Sequence, residues 1–198
     1  MATAKQTQTR SQRIKERAKR RRLELWPDVP EDKNWNRIGS DGFSTIPRTL
    51  TLVGTIADML AEKNKRVSTT LFGLWCRVWD TGVVIVENEY ELATEAGFTG
   101  ERRVYTWRDR VKQLELLNFI QVKPGPKGPY QFILIINPYQ VLYDHRQDGN
   151  IQDQYWLSLI ERAEEISAKD LDKYVEALEA AEKPKSKPKR KRNRKRAS

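Results

Sequence analysis

The chain of 198 residues suits one domain with appendages, and with 38% hydrophobic against 32% charged residues it is polar for a globular protein. Its longest unbroken apolar run, Phe132–Ile136, is far too short to cross a bilayer; no apolar segment follows the basic N-terminus as a secretory signal requires; and a single cysteine, Cys76, excludes an internal disulfide and any cysteine-rich metal site. The net charge of +10 is unevenly spread: residues 1–25 carry +7, residues 183–198 carry +10, and the body between them carries −7.

Basic arms of this composition bury no apolar surface and are expected to be disordered alone. Their natural partner is a polyanion, since each neutralised phosphate releases condensed counterions. Neither arm offers the bulky apolar anchors that a membrane partner requires. The first arm, 1–25, contains no helix breaker and can become helical on binding. A linker, 26–42, follows, rich in Pro, Asp, Asn and Gly. Its Trp26 and Trp35 are expected to fold back onto the body.

The body opens at FSTIPRTL, where Ser44 or Thr45 can cap a helix and Pro47 suits its first turn. Leu50, Val53, Ala57 and Leu60 then recur at helical spacing. A second helix is expected over about 68–80, closed by Gly82, and VVIV at 83–86 reads as a short buried strand. A short helix in ENEYELATEAGF ends at Gly97. Thr99 is the expected cap of the next helix, 100–117, followed by strand 119–122, turn 124–129 and strand 130–136. In that helix Val104, Trp107, Val111, Leu114 and Leu117 form the apolar stripe. This order of elements is that of a winged helix-turn-helix, in a fold that is mainly α with a small β wing. The domain is bounded at 43–145.

After Pro138 the sequence reads as a transition. A helical segment at 150–182 then presents two apolar stripes, separated near Ser167 by a capping-box pattern, so two helices are expected. Such helices either pack on the body or form a homodimer, and the sequence leaves both open.

The local charge singles out one stretch. Residues 99–127 hold seven bases and three acids inside the acidic body. Arg103, Thr106 and Arg110 stack at i, i+3 and i+7, with Arg102 and Gln113 nearby, and these side chains suit base edges and phosphates. Lys123 and Lys127 flank the wing turn and suit the DNA backbone. Tyr105 and Lys112 are weaker candidates. The tail, with Lys189, Arg190, Lys191 and Arg192, supplies a sequence-independent grip. The plain alternative is that Arg102, Arg103 and Arg110 pair with Glu101, Asp109 and the acidic helix before them.

Residues 43–142 resemble winged-helix proteins of bacterial plasmids and other mobile elements. The resemblance is carried by GFSTIPRTL (42–50), LWCRVWD (74–80), GFTGERRVYTWRDRVKQLELLNFI (97–120) and ILIINPYQV (133–141). It implies a DNA-binding fold, a role near replication, maintenance or transcriptional control, and a bacterial, nucleoid-associated cytoplasmic location. It transfers no catalytic residue.

The single histidine, His145, has Asp144 and Asp148 beside it but no second histidine or cysteine, and a solvated turn is the expected reading. No enzyme, metal or cofactor is therefore expected. Double-stranded DNA is the expected partner. The competing reading is an adaptor whose winged helix and C-terminal helices bind a protein of a replication or transcription assembly, while the arms hold DNA or RNA non-specifically. No aromatic platform of the RNP type supports RNA.

Overall fold

Nothing between Ala4 and Leu25 interrupts a helix, and the computed structural model, which describes residues 4–30, 44–78 and 81–182, forms one there. This helix, α1 (Ala4–Leu25), corrects the expectation of a disordered N-terminal arm. An Arg20–Glu24 pair one turn apart supports it, and Pro27 stops it. The side chains described from Glu16 to Leu25 are exposed, apart from half-buried Arg22. Trp26, expected to be buried, is 57% exposed; Trp35 and the C-terminal tail lie outside the described residues.

Residues 1–43 and 44–198 form two compact units. The second is mainly helical, with one small sheet. In chain order it contains α2 (Leu50–Leu60), α3 (Ser68–Arg77), β1 (Val83–Ile85), α4 (Glu89–Glu95), α5 (Arg103–Leu116), β2 (Ile120–Gly125), β3 (Gly128–Ile135), α6 (Pro138–Gln147), α7 (Asp153–Glu165) and α8 (Asp170–Glu182). The strands are antiparallel in the order β1-β3-β2, so the short strand at 83–85 completes the sheet with the hairpin.

The apolar periodicities converge on one core. Val53, Ile56 and Ala57 of α2 meet Leu71 and Leu74 of α3, the α5 stripe, Ile133 and Ile135 of β3, and Leu159 and Ala163 of α7. Residues 150–182 are thus part of the same unit: α7 uses its apolar stripe against the body, and Tyr174 of α8 meets Tyr143 of α6 edge-on. Ser167, expected to cap the second of these helices, instead adopts a left-handed φ of 58° and ends the first; α8 starts at Asp170.

Several boundaries differ from the sequence reading. Pro47 precedes α2 rather than sitting in its first turn, and Ser44 and Thr45 cap nothing. Thr49 takes the cap position, and its hydroxyl, fully buried, meets the Tyr139 hydroxyl at 2.7 Å, joining the start of α2 to α6. Thr99 does not cap α5, because Gly100 at φ 79° reverses the chain and the helix begins only at Arg103. The residues after Pro138, read as a transition, are helical: Asn137 accepts a hydrogen bond from the Tyr139 amide at 3.0 Å and Pro138 occupies the first turn. The hairpin strands run further than expected, leaving a turn of only Pro126 and Lys127, because Gly125 and Gly128 pair across it. A Cβ at Gly125 would lie 2.0 Å from the Gln131 amide oxygen, which itself accepts the Lys127 amide at 3.0 Å.

The α2–α3 turn is held from within. The carboxylate of Asp58 accepts the amides of Val67 and Ser68 at 2.6 and 2.8 Å and the Ser68 hydroxyl at 2.8 Å, capping α3 from the preceding helix. Replacing Asp58 by alanine orphans two N–H groups at the start of α3. We expect a loss of about 2 kcal/mol, measured by urea unfolding with an unchanged slope.

Candidate functional site

The buried stripe of α5 is largely as the spacing predicts: Trp107, Val111 and Leu114 are buried, while Val104 and Leu117 at its ends are half-buried. The solvent side differs. The ridge opposite Trp107 runs through Arg102, Tyr105, Asp109, Lys112 and Leu116, spaced three or four residues apart, with Tyr105 65% and Leu116 71% exposed. Arg102 lies over the Tyr105 ring at 5.0 Å.

Arg103, Thr106, Arg110 and Gln113 do not form the outer face. They stand on flanks, and for Arg103, Arg110 and Gln113 neighbouring elements already occupy those flanks. The Arg103 guanidinium lies 4.4 Å from the centroid of the Tyr90 ring on α4, and its Nε donates to the Gly100 carbonyl at 2.8 Å. Thr106 donates its hydroxyl to the Arg102 carbonyl at 3.1 Å. Gln113 is only 5% exposed; its side-chain amide donates to Glu62 at 2.8 Å, so the structure corrects its placement as a base-contacting residue. Arg110, with 14% of its side chain exposed, pairs with Asp109 and donates to the Asn64 carbonyl at 3.4 Å, while its Nε is buried without a partner.

The plain alternative of internal pairing is therefore realised for some bases and not for others. Arg110 is taken by Asp109, Arg108 by Glu89 of α4 at 2.8 Å from Nε, and Lys127 of the hairpin turn by Glu87. Arg102, Lys112 and Lys123 enter no ion pair among the described residues. The exposed Lys127–Glu87 pair is worth about 0–1 kcal/mol, so a polyanion can replace that carboxylate at small cost, whereas the Arg110–Asp109 pair is largely buried. Lys189, Arg190, Lys191 and Arg192 fall outside the described residues.

Between the α2–α3 turn and the N-terminal half of α5 lies an open groove of about 450 Å³, lined by Lys63, Lys65, Arg102, Tyr105, Asp109 and Arg110 among others. Lys65 bridges Glu62 at 2.9 Å and Asp109 at 3.2 Å. Hydrogen bonds from Lys65 and then Gln113 hold Glu62 below the usual carboxylate range, and Glu62 followed by Asp109 raises Lys65. On the far side of the unit Arg77 similarly depresses Glu95. A depressed carboxylate stabilises the fold above its unfolded value of 4.5 and loses that contribution as the pH falls through its lowered folded value. The melting temperature of the wild type is thus expected to fall between about pH 5 and pH 3. A Glu95→Gln variant, melted across the same range, should show a shallower fall.

His145 lies in α6 rather than a solvated turn, with its Nε2 3.0 Å from the Leu117 carbonyl oxygen, and Asp144 accepts the Tyr174 hydroxyl at 3.1 Å. No group of three or more potential metal ligands occurs among the described residues. No described helix is long and apolar enough to cross a membrane. No protein-family model, no curated protein and no solved structure matches the chain.

Proposed function

We propose that residues 44–147 form a winged helix-turn-helix that binds double-stranded DNA, with α5 in the major groove and the β2–β3 hairpin against the backbone. The element order and the sheet order β1-β3-β2 support the fold reading. The observation that carries the function is the solvent ridge of α5. It presents Arg102, Tyr105 and Lys112 on a helix that follows a tight turn, in a body otherwise acidic. Arginine and lysine there suit guanine edges or phosphates, and the Tyr105 hydroxyl suits a phosphate. Lys123 adds a charge on the hairpin, and α1 supplies a basic helix about 33 Å long as a second, non-specific grip. On the resemblance of residues 43–142 to plasmid-borne winged-helix proteins, the role we propose for this binding is in replication, maintenance or transcriptional control of a mobile element.

The second reading is an adaptor whose body binds a protein while the arms bind nucleic acid. It is favoured by Arg108, Arg110 and Lys127 each already holding a carboxylate. Selection from a pool of random duplexes separates the two, using the full chain and a chain ending at residue 182. A common consensus from both supports reading by α5. Binding without any consensus, lost with the tail, leaves the adaptor.

A further inference from the structure

Several basic side chains near α5 are occupied by a carboxylate of the same unit, but one of these arrangements also mimics a ligand. Asp109, half-buried on the outer ridge of α5, directs one oxygen to Lys65, at 3.2 Å, and the other to Arg110. Two oxygens of a single anion each held by one cation is also the arrangement that a phosphodiester offers through its two non-bridging oxygens. The groove around this carboxylate adds Lys63 and Arg102, neither ion-paired among the described residues, and the exposed Tyr105 hydroxyl. Four cations thus face one acid within the lining, while Glu62, beside it, also holds Lys65 at 2.9 Å. The groove is open, and apart from Tyr105 its lining residues are polar or charged, with the stems of the lysines and arginines adding apolar surface. It has no enclosed apolar slot for a nucleobase, so the chemistry it fits is the backbone and not a free nucleotide.

Arg110 adds a second observation. Its guanidinium is largely buried, its Nε lacks a partner, and its remaining bonds go to Asp109 and to the carbonyl of Asn64 in the left-handed conformation at φ 64°. The cation is therefore fixed in place before any ligand arrives. Such a donor suits recognition better than a mobile surface lysine does, because little side-chain freedom is left to lose on binding.

We propose that this groove is a phosphate-binding subsite for the DNA backbone, and that Asp109 occupies it in the free protein as an internal phosphate mimic that the duplex must displace. The proposal rests on the reading of α5 as a DNA-binding helix. Asp109 then acts as a built-in brake: any duplex whose backbone cannot reach the groove leaves the carboxylate in place. A duplex that fits releases it toward solvent from the outer ridge.

The test uses the full chain and a 30-base-pair duplex carrying its selected sequence, or pooled sequence if none is selected, with affinity followed across a salt series. Asp109→Asn keeps the shape and removes the competing charge. It is expected to raise affinity about tenfold and to steepen the salt dependence by about one phosphate contact, a slope change near 0.9. Lys65→Ala is the second variant, expected to lower affinity and to flatten the slope by a similar amount. Thermal melting checks that each variant is folded, and the half-exposed Lys65 keeps the test open if Asp109→Asn does not fold.

Unchanged affinity and slope in a folded Asp109→Asn, or in Lys65→Ala when the first variant does not fold, overturn the subsite. If at the same time Arg102→Ala and Lys112→Ala weaken binding, the reading of α5 stands without it. If none of these variants alters binding, that reading fails as well. Inorganic phosphate and a mononucleotide, added as competitors at equal ionic strength, are expected to displace the duplex only weakly. Strong displacement by either would make the groove a free-anion site and overturn the assignment to the backbone. An acidic peptide that binds tightly through the same residues, with no effect of Asp109→Asn on duplex binding, would assign the groove to a protein partner.

Discussion

Replacing Arg102 and Lys112 together by alanine is expected to lower affinity for a selected duplex about 10- to 100-fold, from one to two lost contacts of about 1–3 kcal/mol each. Both residues stand on the ridge facing away from Trp107, and neither is ion-paired among the described residues. Arg103→Ala is expected to change affinity less than about threefold, because its guanidinium is committed to the Tyr90 ring and the Gly100 carbonyl. Its removal should instead loosen the turn between α4 and α5, which a modest drop in melting temperature would register. Fluorescence anisotropy on the selected duplex and a scrambled one measures both effects. A double variant that binds like the wild type, with relaxed specificity in Arg103→Ala, would move the reading surface to the flank.

The largest effect on stability is expected at Trp107. Only 1% of this residue is exposed, and its ring meets Tyr130 of β3 edge-on at 6.2 Å, so one side chain ties α5 to the turn end of the hairpin. Trp107→Ala removes that packing and leaves a cavity, at a cost of about 3–5 kcal/mol. Marginal stability makes such a loss enough to unfold much of the population near body temperature. Urea unfolding followed by circular dichroism would measure it. Trp107→Phe keeps a ring in the site and should cost less than half as much. Equal losses from the two variants would mean that the indole itself, and not the filled volume, carries the contribution.

The parts of this chain that read clearly are those in which periodicity reports burial directly. The stripe Trp107, Val111 and Leu114 and the helix end at Gly97 are of this kind, whereas the strand at 83–85, expected to be buried, buries only Val84 and leaves Ile85 53% exposed. At that helix end the amides of Gly97 and Phe98 close back onto the Thr94 and Ala93 carbonyls at 3.0 Å. Turn chemistry read less well. Asn137–Pro138 looks like a break, yet it is a capped helix start, since proline at the first position lacks only an N–H that would have no helical partner there. Conversely Thr99 looks like a cap but is separated from α5 by a left-handed glycine.

The candidate site was the least legible. Periodicity locates the buried stripe but says nothing of how far neighbouring elements wrap around the helix. The α2–α3 turn, sixty to sixty-seven in the chain, reaches Arg110 and Gln113, while Tyr90 of α4 reaches Arg103. Those long-range contacts turn the expected reading face into two flanks and leave the ridge through Arg102, Tyr105 and Lys112 outermost. Tyr105 and Lys112 could have been ranked higher by stepping half a helical circumference away from Trp107.

The hydroxyl pair of Thr49 and Tyr139 spans 90 residues of sequence, and α7 closes over α2 from later still. During synthesis α2 therefore leaves the ribosome shortly before α3 but well before α6 and α7. At a translation rate of about 5–20 residues per second, the Thr49 hydroxyl waits on the order of 5–20 s for Tyr139, while α3 and α5 reach the apolar face of α2 sooner. A chain cut before α6 therefore keeps the α3 and α5 partners of the apolar face of α2 but leaves the buried Thr49 hydroxyl without its Tyr139 partner.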